Sequence, residues 1–194
     1  MCQANTEWLS RTELLYGAEK LKRLQQAHVL VVGIGGVGAY AVEQLGRAGI
    51  GKMTLVDADN VELTNLNRQL PALHSTLGKP KVEVMCQRLY DINPDIKLHP
   101  VHEFLRDERT IELLSSTHFD YVVDAIDSLS PKVYLIYHSL QQQLPLVSVM
   151  GAGGKIDPSL VQVADIKKTH QCKLAHATRK RLHRMGITTG FKAV

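Results

Sequence analysis

Three glycines at fixed spacing, Gly33, Gly35 and Gly38 in "GIGGVG", follow the apolar run "HVLVV" and open a stretch of small residues. In a strand, turn, helix passage each has its own use. The first lets the chain turn tightly, the second lets backbone N–H groups approach a phosphate, and the third lets the helix pack close to the strand. Asp57 stands at the end of the next apolar run, "KMTLVDAD", where an acid accepts hydrogen bonds from ribose hydroxyls. The pattern reads as a nucleotide site, and ribose and phosphate alone leave NAD, FAD and ATP open.

The residues downstream separate these nucleotides. "DADNVELTNLNRQ" places Asn65, Arg68 and Gln69 soon after two acids, and "GKPK" adds Lys79 and Lys81. A hydride-transfer enzyme needs a flat apolar slot for nicotinamide, whereas concentrated cations suit a triphosphate whose pyrophosphate must leave. The balance favours ATP.

These residues need a frame, and the periodicity predicts one. "SRTELLYGAEKLKRLQQA" reads as two short helices broken at Gly17, with Ser10 as N-cap and Leu14, Leu15, Leu21 and Leu24 as apolar positions. "HVLVVG", apolar on both faces, is a strand of a covered parallel sheet. "VGAYAVEQLGRAG" is the helix after it, ending near Gly49, and "KMTLVDAD" is the next strand. A polar loop leads to a helix in "GKPKVEVMCQRLYDINP", with Val82, Met85, Cys86 and Leu89 on one face. Strands are expected at "IKLHPVHEF", "FDYVVDAI", "LPLVSVMGAGG" and "VQVADI", with helices at "RDERTIELLSS", "SPKVYLIYHSLQQQ" and "THQCKLAHATRKRLHRMG", the last closed by Gly186. This alternation predicts an α/β fold, a Rossmann-like doubly wound, mostly parallel sheet flanked by helices. One domain over 1–194 is expected, and "GFKAV" stops in mid-strand, as in a chain truncated at its C-terminus.

With 194 residues, 44% of them hydrophobic and 22% charged, the composition is that of a globular protein with one sizeable core. No run approaches the ~18 apolar residues of a membrane span, and the polar opening "MCQANTEWLS" lacks the apolar core of a signal peptide. No membrane association and a cytoplasmic location are expected. Cys2, Cys86 and Cys172 are far apart and form no C-x-x-C pair, which argues against a disulfide framework or a thiolate zinc site. The net charge of +4 is compatible with a polyanionic partner.

In order and spacing, "GIGGVG", "DADNVELTNLNRQ", "GKPKVE" and "VVDAIDS" resemble the ubiquitin-activating-enzyme-like superfamily, in its small bacterial ThiF/MoeB/HesA branch. The resemblance runs from about Arg11 to the end of the chain. It implies an enzyme that binds ATP with Mg2+ and joins AMP to a carboxylate, releasing pyrophosphate. Carried over by position, it places Gly33, Gly35, Gly36 and Gly38 at the phosphates and Asp57 at the ribose. Asn65, Arg68 and Lys81 would grip the polyphosphate with Gln69 beside them, and Asp127 would hold magnesium. Arg11 matches an arginine that dimers of the family insert into the neighbouring subunit's ATP site, which implies a homodimer.

Members that activate ubiquitin-like sulfur carrier proteins generally carry two C-x-x-C pairs, absent here. The second half, with "GAGGKIDP", "DIKKT", a C-x-L-A and a basic helix before "GI", resembles instead the tRNA threonylcarbamoyladenosine dehydratase branch. That resemblance implies ATP-driven activation of a threonylcarbamoyl carboxylate on tRNA, followed by ring closure from a neighbouring atom of the same group. The alternative it leaves open is an adenylyltransferase acting on the C-terminus of a carrier protein. The charge pattern independently agrees with RNA: Lys167, Lys168, Lys173, Arg179, Lys180, Arg181 and Arg184, with His170, His176 and His183, form a footprint for a phosphate backbone. Cys172 lies among these cations, where a thiolate is stabilised, although a lone cysteine is more often a small packed residue.

Overall fold

The computed structural model describes residues 7–194. Cys2 and the rest of residues 1–6 in the polar opening lie outside the described residues. The chain divides into two compact units, residues 1–104 and 105–194.

The first unit opens with α1 (Ser10–Tyr16) and α2 (Ala18–Gln26), separated at Gly17 as expected. Ser10 is not the N-cap. A 3-10 turn over Glu7–Leu9 runs straight into the helix, so Leu9 takes the cap position without a side-chain bond. Nor do the expected apolar positions all join the core: Leu21 is 5% exposed, but Leu14 and Leu15 are 81% and 73% exposed.

Three parallel strands, β1 (His28–Val32), β2 (Lys52–Val56) and β3 (Lys97–Val101), lie in the order β3-β2-β1. All of β1 is buried, as its unbroken apolar run predicts. Pro100, which has no N–H to donate, is accommodated on β3, the last strand of that order. The helices α3 (Gly38–Arg47) and α4 (Lys81–Ile92) pack closely. A Cβ on Gly46 of α3 would come 2.6 Å from Leu89 Cδ2 of α4, so any larger residue there would force the buried Leu89 side chain to move. Beside this contact, buried Glu43 of α3 takes hydrogen bonds from Arg47 and from both Nε and Nη2 of Arg88 on α4.

The second unit holds β4 (Tyr121–Asp124), β5 (Leu146–Ser148), β6 (Ala164–Asp165) and β7 (Lys192–Ala193), with α5 (Asp107–Ser116), α6 (Leu129–Gln141) and α7 (Lys173–Arg184). The order is β4-β5-β7-β6, parallel except for β6 against β7. Here the strands fall short of the expectation. The glycine-rich stretch after Met150 ends β5 early, and of "VQVADI" only Ala164–Asp165 pairs. Val161 and Val163 are 65% and 63% exposed, so their alternation marks no buried face. The expected helix from Thr169 begins only at Lys173, because Cys172 caps it.

The second unit contains a fully buried ion pair. Lys132 Nζ of α6 lies 2.7 Å from Asp124 Oδ2 at the end of β4, 3.1 Å from Ser148 Oγ and 2.9 Å from the Val149 carbonyl. Asp124, Lys132 and Ser148 are each 0% exposed, so the lysine's charge is met entirely within the protein.

Candidate nucleotide site

The glycine turn is built at the end of β1. Gly33, with φ 91°, takes the left-handed conformation that glycine favours, and its N–H donates to the Val56 carbonyl at 2.8 Å. The next N–H, that of Ile34, donates to Asp57 Oδ2 at 2.6 Å, while Asp57 Oδ1 accepts from the Asp59 N–H at 2.8 Å. Asp57 therefore fastens the turn to the end of β2. Each of its oxygens keeps a further acceptor site, enough for ribose hydroxyls.

Beyond the turn α3 begins at Gly38 with no side-chain cap on its first turn. Uncapped N–H groups at the positive end of a helix dipole suit an anion. Facing them is the loop after β2. A Cβ placed on Gly36 would lie 3.6 Å from Arg68 Cγ, and one on Gly35 would lie 3.9 Å from Gln69 Nε2. Two motifs more than thirty residues apart in sequence thus face each other across a narrow space.

Each loop residue has a distinct place there. Asn65, 6% exposed, closes the 3-10 turn Leu63–Asn65: its Oδ1 accepts from the Glu62 N–H at 3.1 Å, and its carbonyl accepts from the N–H groups of Arg68 and Gln69. Its Nδ2 has one long contact, 3.5 Å to Thr64 Oγ1. Arg68 is exposed. Its Nη1 donates to the Thr64 carbonyl at 3.0 Å and to Asn67 Oδ1 at 2.9 Å, which aims the guanidinium and leaves Nε and Nη2 without a bond among the described residues. Gln69 Oε1 is buried with no partner, an acceptor that a hydroxyl or amino group would satisfy.

Lys81 is the first residue of α4 and only 3% exposed, and its Nζ lies 2.8 Å from Asp59 Oδ2. An ammonium at the start of a helix opposes the dipole, so this position calls for anions, and Asp59 is one. A ladder of backbone bonds between 59–61 and 78–81 holds the two residues together. Asp59 thereby joins the site as a residue that type and spacing alone do not single out.

Asp127 and Arg11 lie on other elements of the chain. Asp127 is exposed on the segment between β4 and α6, in the second unit, where the Ile126 N–H donates to Asp124 Oδ1 at 3.1 Å and shapes the backbone. Arg11 is exposed on α1, without a hydrogen bond among the described residues. Cys172 has a structural place: its Sγ accepts from the N–H groups of Gly151 at 3.3 Å and Ala175 at 3.4 Å. Burial pushes the thiol up, but those N–H groups, that of Leu174 and the charge of Lys155 outweigh it and hold it below the usual thiol value.

The donor set fits a nucleoside triphosphate: uncapped backbone N–H groups, a half-engaged guanidinium, a buried ammonium, a ribose-suited carboxylate and an unsatisfied Gln69 oxygen. Among the described residues no three His, Cys, Asp or Glu side chains form a ready-made metal cage. An isolated exposed carboxylate such as Asp127 instead suits magnesium shared with substrate phosphates.

A model of the ThiF family matches residues 9–193. The chain belongs to the ThiF family. Among its relatives within this family, the tRNA threonylcarbamoyladenosine dehydratase of Bacillus subtilis is 44% identical over 95% of this chain and 72% of its own length. That of Escherichia coli is 46% identical over 88% of this chain and 63% of its own length. The crystal structure of the Escherichia coli tRNA N6-threonylcarbamoyladenosine dehydratase in complex with ATP superposes with a TM-score of 0.93 and 41% identity, covering 97% of this chain and 80% of that one. The molybdopterin-synthase adenylyltransferase of Escherichia coli is more distant, 38% identical over 64% of this chain and 49% of its own length. The match to the ATP-bound structure spans both units of this ThiF-family chain, and its fold is the expected Rossmann-like α/β one.

Proposed function

We propose that this chain carries the ATP-dependent adenylation activity of a tRNA threonylcarbamoyladenosine dehydratase. The observation that carries the reading is the meeting of the Gly35–Gly36 turn with Arg68 and Gln69. It gives an anion site a guanidinium and an amide, and the Bacillus subtilis and Escherichia coli relatives above are dehydratases of this name.

In this reading Gly33, Gly35, Gly36 and Gly38 leave room for the phosphates, and Asp57 accepts from the ribose hydroxyls. Asn65 Nδ2, the free face of Arg68, and Lys81 donate to the polyphosphate, with Gln69 beside them. A carboxylate attacking the α-phosphate brings anions together, and the departing pyrophosphate gains charge in the transition state. Fixed cations therefore stabilise the transition state more than the ground state. Magnesium, held by Asp127, would supply further charge neutralisation at the phosphates. The activated threonylcarbamoyl carboxylate is then attacked by a neighbouring atom of the same group, closing the ring with AMP as leaving group and a net loss of water. No enzyme nucleophile is needed, which agrees with Cys172 serving as a helix cap.

The reading includes a cytoplasmic homodimer in which Arg11 reaches the partner's site. Exposed Leu14 and Leu15, beside Arg11 on α1, give it an apolar surface to bury. No helix among the described residues is long and apolar enough to cross a membrane.

The test is incubation with ATP, magnesium and tRNA bearing threonylcarbamoyladenosine. The reading expects a nucleoside lighter by one water, with AMP and pyrophosphate formed. Pyrophosphate release only on adding a ubiquitin-like carrier protein, with the nucleoside unchanged, would replace it with the carrier-activating reading.

A further inference from the structure

The basic residues of 167–184 do not act as one surface. Arg181 is turned inward, its Nη1 donating to Ser130 Oγ at 2.7 Å and its guanidinium lying 5.3 Å from the centre of the Tyr134 ring, so it fastens α7 to α6. Arg179 Nη1 donates to the Thr169 carbonyl at 2.8 Å and holds the preceding loop.

The rest of one helix face is differently placed. His176, Lys180 and His183, at i, i+4 and i+7, are exposed, and none is in an ion pair among the described residues. With Lys167 and the edge of Arg179 they rim a basin of about 290 Å³. Its floor is apolar, made by Ile166 and Leu182, each 1% exposed, and its far wall is Ile187 and Thr188. Asp165 ties Lys167 to the segment that follows the far wall: its Oδ1 accepts from the Lys167 N–H at 3.0 Å, and Oδ2 accepts from Thr189 Oγ1 at 2.5 Å and the Gly190 N–H at 3.2 Å. The rim charges are thus held over a concavity large enough for a phosphate with part of its sugar.

We infer that this basin takes a backbone phosphate of the RNA substrate, with the sugar against Ile166 and Leu182. The inference rests on the tRNA reading above and adds to it a division of labour. Lys167, His176, Lys180 and His183 hold RNA, while Arg179 and Arg181 hold the helix. An apolar floor beneath cationic donors matches a sugar-phosphate unit better than a free inorganic ion, which has no apolar face to place there.

The test uses the 194-residue chain and its tRNA affinity across a range of salt. Lys167→Gln with Lys180→Gln removes two rim charges. Lys173→Gln with Arg184→Gln removes two charges from outside the basin and serves as the control. The basin pair is expected to bind tRNA about tenfold more weakly, with the slope of log affinity against log salt smaller by about 1, as for one lost phosphate contact. Its melting temperature and ATP affinity should stay unchanged, and the control pair should change tRNA affinity less than the basin pair. Equal losses in both pairs would mean a diffuse basic surface and overturn the basin. Unchanged binding in the basin pair would overturn it too and leave the dehydratase reading standing. If the wild-type chain binds no tRNA at any salt, the tRNA reading and the basin fall together.

Discussion

Lys81 Nζ lies 2.8 Å from Asp59 Oδ2, and the two ends of this pair differ: the lysine side chain is 4% exposed and the aspartate side chain 70%. An ion pair with one end in water contributes no more than about 1 kcal/mol. In the proposed reading, a second anion, the triphosphate, compensates the rest of the cost of a buried ammonium at a helix start. Lys81→Met is therefore expected to lower kcat by about 10²–10³-fold, as Arg68→Ala should by loss of a comparable donor. Asp59→Asn should cost far less in rate. Steady-state pyrophosphate release measures all three, and equal losses for Asp59→Asn and Lys81→Met would give the lysine a merely structural role.

Gly36 separates space for the protein from space for a ligand. Its φ is not in the left-handed region, and a Cβ there would make ordinary contact with Arg68 at 3.6 Å. Gly36→Ala is thus expected to melt within about 0.5 kcal/mol of wild type and to bind ATP at least about tenfold more weakly, or 1.4 kcal/mol, because the methyl group occupies the phosphate's approach. Calorimetric titration with ATP alongside a thermal melt distinguishes the two effects.

The buried pair in the second unit is expected to govern stability. Lys132→Met leaves Asp124 charged and buried beside Ser148, at a cost of about 3–5 kcal/mol, whereas removing both charges together, in Lys132→Met with Asp124→Leu, should cost less than the single change. Denaturant unfolding of the single and double variants gives the comparison.

Glu43 gives the acid limb of the stability curve. The Arg88 hydrogen bond, opposed by burial and joined by Arg47 and the charges of both arginines, holds its carboxyl below the usual glutamate value. A carboxylate with a lowered value in the folded state contributes stability that is present above its unfolded value, about 4.3, and is lost as pH falls through the folded one. Glu43→Gln should therefore melt lower than wild type at neutral pH, and the gap should close below pH ~4. A gap that persists at low pH would assign the effect to packing.

Much of the first unit was legible because its signals are local. β1 is an unbroken apolar run, Gly33 and Asp57 end consecutive strands, and α4 shows a clean helical face with Val82, Met85, Cys86 and Leu89 buried. The glycine turn and the polar loop with Arg68 and Gln69 were recognisable by type and spacing, and their apposition followed from the alternation of strands and helices. Asp59 was not legible, because its partner lies across a backbone ladder that leaves no periodic trace. Nor was the engagement of Asn65 Oδ1 by the Glu62 N–H, since a short polar side chain serves a turn or a ligand equally well by sequence. In the second unit, β5, β6 and β7 are two or three residues long. Strands that short carry no period, and exposed Val161 and Val163 imitate one.

The central claim is that ATP chemistry here removes water from threonylcarbamoyladenosine in tRNA. Mass analysis of nucleosides from tRNA treated with the chain, ATP and magnesium tests it most directly. The account predicts a modified nucleoside lighter by one water, formed with AMP and pyrophosphate and lost in Arg68→Ala. An unchanged nucleoside, with pyrophosphate released only when a carrier protein is supplied, would contradict it.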